Sequence, residues 1–166
     1  LVRRYGMRLG ASRFVAGESL DACLDVLAGL NAKGLRVNTT ILSEGVTDAD
    51  MANEVVEAYI KVLDGLHERK IIGNVALKLT HLGLDLNEDL AYRNVERLVK
   101  HADHLNQFIR MDMEDSPRVD ATLRIYKRLR DAGHDNVGTV LQSYLYRTEQ
   151  DFNDLRSYTP NLRLVK

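Results

Sequence analysis

Apolar residues along the 166-residue chain follow two alternating periods. Leu20, Leu24, Leu27 and Leu30 recur at helical spacing behind Ser19, whose hydroxyl can accept an orphan amide of a first turn, and Lys33-Gly34 ends the run. The spacing predicts a helix over 19–32. From Leu35 to Leu42 the text is β-branched and alternating. Thr47-Asp48 then opens a helix to about Arg69, with Met51, Val55, Tyr59, Val62 and Leu66 on one face. The strand-then-helix unit repeats: strand 74–82 and helix 87–105, strand 107–114 and helix 117–132, strand 137–145 and helix 148–158. Residues 162–166 begin a further strand.

Strands that alternate with full helices imply parallel βα units, because a parallel connection needs a crossover. An open doubly wound sheet is buried on both faces and its strands read as uniform Val/Ile/Leu runs. These strands are two-faced. Val75, Leu77 and Leu79 share one side against Ala76, Lys78 and Thr80, and Ile109, Met111 and Met113 lie opposite Arg110, Asp112 and Glu114. Leu141-Gln142 and Leu162-Arg163-Leu164 repeat the contrast. One face can meet helices; the other must share a common polar interior, which selects an α/β chain of the (βα)8 TIM-like barrel class. A full barrel takes about 250 residues and eight strands. Residues 1–166 are therefore expected to form one partial barrel domain, truncated after about five strands: an N-terminal helix at 19–32 and βα units from residue 35 onward. Residue 1 is Leu and the apolar-basic run 162–166 simply stops, so both ends are expected to be cut from something longer.

Composition narrows the partners. Hydrophobic residues make up 45% of the chain, enough for a core, and 23 Lys+Arg against 24 Asp+Glu leave no basic excess for nucleic acid. Cys23, the single cysteine, fits a reducing compartment. No apolar run approaches the roughly 20 residues of a spanning helix, and the expected location is the cytoplasm.

Lys78, Asp112, Glu114, Gln142 and Arg163 project into the shared interior from four consecutive strands, near the C-terminal mouth where barrel enzymes place their chemistry. Two readings stand side by side. The groups form an active site, or Lys78 with Asp112 and Arg163 with Glu114 are ion pairs that fill the barrel. His101 and His104 lie on a polar helix side without a third ligand, so no metal site is expected. Asp115 or Ser116 before Pro117 reads as a helix cap. Neither G-x-G-x-x-G nor a P-loop occurs, and Cys23 reads as a small core residue.

Five motifs in order resemble the proline dehydrogenase family: Arg13-Phe14-Val15-Ala16-Gly17-Glu18, Leu77-Lys78-Leu79-Thr80-His81-Leu82-Gly83-Leu84, Arg110-Met111-Asp112-Met113-Glu114-Asp115-Ser116, Leu141-Gln142-Ser143-Tyr144-Leu145, and Leu162-Arg163-Leu164-Val165-Lys166. The resemblance implies a flavoprotein oxidoreductase of proline catabolism. It oxidises L-proline to 1-pyrroline-5-carboxylate by hydride transfer to FAD and passes electrons to a quinone, with peripheral association at the inner membrane. It implies that Lys78 contacts the substrate carboxylate and that Asp112 and Arg163 are catalytic. It also implies that Met113, Gln142, Arg163 and Lys166 contact the flavin, Met113 through its backbone since parity turns its side chain away. Another flavin barrel oxidoreductase, of the methylenetetrahydrofolate reductase type, and a non-catalytic barrel fragment are the alternatives. Thr40 and Ser43 depart from the family's acidic residue and glycine at the end of the first strand, and His81 replaces a common Gln. The isolated segment is expected to be inactive.

Overall fold

The protein is described by a computed structural model covering residues 15–17, 19–42 and 45–166. Of the resemblance motifs, Arg13, Phe14 and Glu18 lie outside the described residues, as does the departure at Ser43.

The described chain runs α1 (Leu20–Ala32), β1 (Val37–Thr39), α2 (Ala49–Glu68), β2 (Gly73–Leu77), α3 (Glu88–His104), β3 (Ile109–Met111), α4 (Val119–Asp131), β4 (Val137–Gln142), α5 (Thr148–Leu155) and β5 (Leu162–Val165). The first three helices start where a short polar side chain can satisfy a free amide. Ser19 accepts from the Ala22 N–H at 3.3 Å, Asp48 from Met51 at 2.9 Å and Asn87 from Leu90 at 2.9 Å. All five strands are parallel, in spatial order β1-β2-β3-β4-β5. Strictly sequential order means that every crossover turns the same way, which puts all helices on one side and curls the sheet into half of a barrel.

The core lies between sheet and helices. Val75, Leu77, Ile109, Met111 and Val137 are fully buried against Tyr59, Leu63, Leu98, Ile125 and Tyr126 of the helices. Neighbouring helices are stitched by ion pairs with one polarity, the acid on the earlier helix and the base on or beside the later one. Asp21 and Asp25 meet Arg69, Glu57 meets Arg97, Glu88 meets Arg124, Asp89 meets Arg128 and Asp120 meets Arg147. At exposed positions solvent screens such pairs, and each contributes little by itself. Their common polarity favours one sequence of neighbours over others.

Strand ends differ from the sequence expectation. β2 stops at Leu77, not 82, because Leu79–Leu82 is a 3₁₀ turn closed by Gly83 at φ 94°, a left-handed conformation that suits glycine. β3 spans only Ile109–Met111, and β4 ends at Gln142 rather than 145. α5 ends at Leu155 and passes into a 3₁₀ turn, Arg156–Tyr158. Asp115 is not a side-chain cap; its carboxylate binds Arg118 instead. The inner face is also less uniformly polar than parity suggested, since Ala76, Gly138 and Val140 share it.

Candidate active site

The register pairs Ala76 with Arg110, Arg110 with Gly138, and Val140 with Arg163. Inward side chains therefore stand in two rows. Ala76, Arg110 and Gly138 form the lower one; Lys78, Asp112, Val140 and Arg163 form the upper one, toward the C-terminal mouth. In both rows a residue of β3 meets the β5 side of the sheet across β4, which the curl makes possible.

In the lower row the Arg110 guanidinium crosses above Gly138. Its Nη1 donates to the carbonyls of Thr139 at 3.1 Å and Asn161 at 2.7 Å, and its Nη2 donates to Asn161 Oδ1 at 2.6 Å. The group also stands 5.0 Å from the Phe108 ring centroid. Arg110 is 7% exposed, with its Nε buried and unpartnered among the described residues. Burial pulls its pKa down, and the neighbouring Arg163 adds to that. It is a floor for the site that parity placed inside but to which no role was given.

In the upper row Arg163 Nη1 lies 4.0 Å from Asp112 Oδ1. The expected Lys78–Asp112 pair is not formed: no contact within 4.0 Å joins them, and Asp112 turns to Arg163 instead. The alternative pair, Arg163 with Glu114, is not formed either. Glu114 is engaged by Thr80, whose N–H donates to Oε1 at 3.1 Å and whose hydroxyl donates to Oε2 at 2.7 Å. Lys78 is exposed at the start of the 3₁₀ turn, with no ion pair among the described residues. Burial pushes the Asp112 carboxyl up, while Arg163, Lys78 and Arg110 oppose the shift in that order.

Gln142 is 4% exposed, and its Nε2 donates to the Glu114 carbonyl at 3.1 Å and the Met113 carbonyl at 3.5 Å. The Met113 side chain lies in the helix-facing core, as parity requires, leaving its backbone toward the mouth. Lys166 extends the β5 line, its Nζ 5.7 Å from the Tyr144 ring centroid.

Sequence reading missed Tyr59. Its hydroxyl, fully buried, reaches the end of β1, where it accepts from the Ile41 N–H at 3.3 Å and shares a hydrogen bond with Thr40 Oγ1 at 3.1 Å. Burial raises its pKa; the Thr40 and Ile41 contacts oppose this, and Asp112 and Glu114 add to it. A tyrosine at one of the apolar helical positions looks like core, and only the fold brings its polar end to Thr40. His101 binds Asp64 at 2.7 Å and His104 the Lys100 carbonyl at 2.7 Å, so the two histidines serve helix contacts. Cys23 packs beside the core.

His81 is 9% exposed with Nδ1 unpartnered among the described residues. Burial holds its imidazole below the usual 6.5 against the pull of Glu114, and Lys78 adds to the depression. Below about pH 6.5 the unfolded chain binds a proton that the folded one refuses, so stability falls as pH falls through that window. In a protein carrying this segment within a complete barrel, hereafter the complete-barrel protein, melting temperature should drop from about pH 7 to pH 5. The drop should be shallower in His81→Gln. Parallel curves would assign the slope to other groups.

Two cavities flank the open edges rather than the polar mouth. One, of about 550 Å³, is lined by Leu141, Leu145, Tyr146, Phe152, Leu162 and Leu164 beside β5. The other, of about 850 Å³, is lined by Leu20, Cys23, Leu27, Thr39, Ile41 and Leu42 beside β1. Arg163 borders the first. The upper inward row of Lys78, Asp112, Val140 and Arg163 lies on the concave face of the sheet.

Comparison with known proteins agrees with the geometry. A family model described as proline dehydrogenase matches residues 23–164. Proline dehydrogenase 2 of Bacillus subtilis (strain 168) is 37% identical over 166 residues, covering 100% of this chain and 54% of the relative. Proline dehydrogenase of Deinococcus radiodurans is 37% identical over 160 residues, covering 94% and 52%. The chain thus spans about half the length of the curated relatives it matches. Among solved structures, proline utilization A of Bdellovibrio bacteriovorus inactivated by N-propargylglycine superposes with a TM-score of 0.87 at 19% identity, over 99% of this chain and 21% of that one. Proline utilization A of Bradyrhizobium japonicum (mutant D778Y) superposes at 0.75 with 22% identity, over 98% and 19%. At these identities the two structures establish the barrel fold.

Proposed function

Since this chain belongs to the proline dehydrogenase family, we propose that its half-barrel supplies the concave face of an enzyme that oxidises L-proline to 1-pyrroline-5-carboxylate with FAD. The observation that carries this reading is the upper inward row, where Lys78, Asp112 and Arg163 line one end of the sheet and Arg163 faces Asp112 at 4.0 Å. Lys78 has no ion pair among the described residues and Arg163 only a loose one, so both cations are available to an anionic ligand on this face.

The residues fit a flavin. Lys78 and Arg163 stand near the half-buried Asp112 carboxylate and Lys166 ends the β5 line, a set of cations suited to a ring system that would become anionic on reduction, while both Nη atoms of Arg110 are already bound. Gln142, Arg163, Lys166 and the Met113 backbone would hold FAD; Lys78 would hold the substrate carboxylate. The chemistry FAD supplies when bound is acceptance of a hydride from the ring carbon next to the proline nitrogen. Asp112, opposite Arg163, stabilises the cationic nitrogen that hydride loss leaves on the substrate. With FAD bound, the Arg163 guanidinium would stand where it stabilises negative charge on the cofactor, in a face from which bound substrate would exclude water. Electrons would then pass to a quinone at the surface of the inner membrane. Among the described residues no helix is long and apolar enough to cross a membrane.

The test is product identity. The complete-barrel protein with FAD, proline and a soluble quinone should form pyrroline-5-carboxylate and reduced quinone in equal amounts. Oxidation of a reduced nicotinamide with proline left intact would sink the reading.

The same reasoning makes the 166-residue chain inactive by itself. Among the described residues β1 and β5 are edges with no strand beyond them, and the apolar cavities beside both are open to solvent. Expressed alone it should self-associate and hold no FAD. A sharp calorimetric transition of a monomer with one FAD per chain would contradict this.

A further inference from the structure

The β2–β3 ladder ends at the bond from the Asp112 N–H to the Leu77 carbonyl, 2.8 Å long. Lys78 and Asp112, the two upper-row residues at this seam, stand at the point where backbone pairing stops. Beyond it the Glu114 side chain takes over. One oxygen receives the Thr80 N–H at 3.1 Å and the other the Thr80 hydroxyl at 2.7 Å. Behind it, Gln142 fixes the Glu114 backbone by donating to its carbonyl at 3.1 Å. The C-terminal end of the turn is anchored from α3, where Asn94 Nδ2 donates to the Leu82 carbonyl at 3.0 Å, and Leu79 and Leu82 are fully buried. At its N-terminal end, next to Lys78, the turn's own bond is His81 N–H to the Lys78 carbonyl at 3.1 Å, and 3₁₀ hydrogen bonds have poorer geometry than α-helical ones, so the Thr80–Glu114 contact is what fixes that end. A carboxylate suits the task because it accepts at both oxygens, and charge-assisted hydrogen bonds are about twice as strong as neutral ones.

We propose that Glu114 is a positioning residue that clamps the Leu79–Leu82 turn onto the end of β3 through Thr80, and thereby sets where the Lys78 ammonium meets the substrate carboxylate. The inference rests on the reading of Lys78 as the substrate-carboxylate contact. Glu114 itself touches neither substrate nor cofactor. Releasing the clamp lets the turn and Lys78 drift, which weakens substrate binding and leaves the hydride step, governed by Arg163 and Asp112, nearly intact.

The experiment compares variants of the FAD-loaded complete-barrel protein, with melting temperature recorded for each. Thr80→Val and Glu114→Ala should each raise KM for proline about tenfold with kcat within a factor of about two. Thr80→Ser keeps the hydroxyl and should keep the parent KM. Calorimetric binding of an unreactive proline analogue, with oxygen in place of the ring nitrogen, should weaken in parallel. Lys78→Ala raises KM by itself, and adding Thr80→Val to it should add nothing, because the clamp acts through a side chain already gone. If Lys78→Ala raises KM while Thr80→Val leaves it unchanged, or if the two effects simply multiply, the clamp is wrong and the Lys78 reading survives. If Lys78→Ala leaves KM unchanged, the underlying reading fails and the clamp with it. Should Glu114→Ala melt out, Thr80→Val against Thr80→Ser carries the comparison.

Discussion

Arg163→Met in the complete-barrel protein should lower the rate of flavin reduction by proline about 10²–10³-fold while leaving the fold in place. The magnitude is that of removing one preorganised donor aimed at developing charge in a dry site. The small structural cost follows from geometry: the Arg163 side chain is 36% exposed and its single ionic contact is 4.0 Å long, so stability should change by less than about 1 kcal/mol. A second readout separates electrostatics from shape. Arg163 is the largest influence holding the Asp112 carboxyl down against burial; with the guanidinium gone, that carboxyl titrates higher. The acidic limb of the pH–rate profile should therefore move to higher pH in the variant. Stopped-flow reduction together with thermal melts decides the matter. A large drop in melting temperature with turnover kept would make the inner ions structural.

Gly138→Ala should be strongly damaging to the sheet. A Cβ there would stand 2.5 Å from Arg110 Nη1, 2.5 Å from the Asn161 carbonyl oxygen and 2.8 Å from Phe108 Cζ. The guanidinium could swing aside only by abandoning its three acceptors in a buried place, and the Asn161 carbonyl is backbone at the entry to β5. Overpacking of this kind with loss of buried hydrogen bonds costs about 3 kcal/mol, or roughly 5 °C in melting temperature for a chain of the relatives' size. Gly29→Ala is the control. It lies inside α1 with open space around its Cβ position, so alanine should raise stability by up to about 1 kcal/mol. Equal melting temperatures for the two variants would mean that β4 and β5 are not held by the Arg110 crossing.

The order of elements and the two-faced strands were legible because period 2 and period 3.6 read directly as face and helix, and the two-facedness distinguished a curled sheet from a flat doubly wound one. Strand ends were not. Leu79, Leu82 and Leu84 continue an apolar pattern past Leu77, yet they turn on Gly83, and Leu145 extends β4 in text only. Pairing was the second loss. Parity correctly put Lys78, Asp112, Glu114 and Arg163 near one interior, but it says nothing about curvature. Curl lets a residue on β3 meet one across β4, so Asp112 faces Arg163 and Arg110 reaches Asn161, while the nearer Lys78 goes unpaired among the described residues. Tyr59 was hidden for a related reason: its ring is core while its hydroxyl reaches Thr40 at the end of β1, and helical periodicity reports only the ring.

The concave face is proposed to contribute to proline oxidation in a complete barrel rather than merely to fill it. The most direct test of this is anaerobic addition of L-proline to the FAD-loaded complete-barrel protein while the flavin absorbance band is followed near neutral pH. The account predicts bleaching by proline, at one equivalent per flavin, and none by NADH. Bleaching by NADH with proline inert, or an oxidised spectrum unchanged by proline, would contradict it.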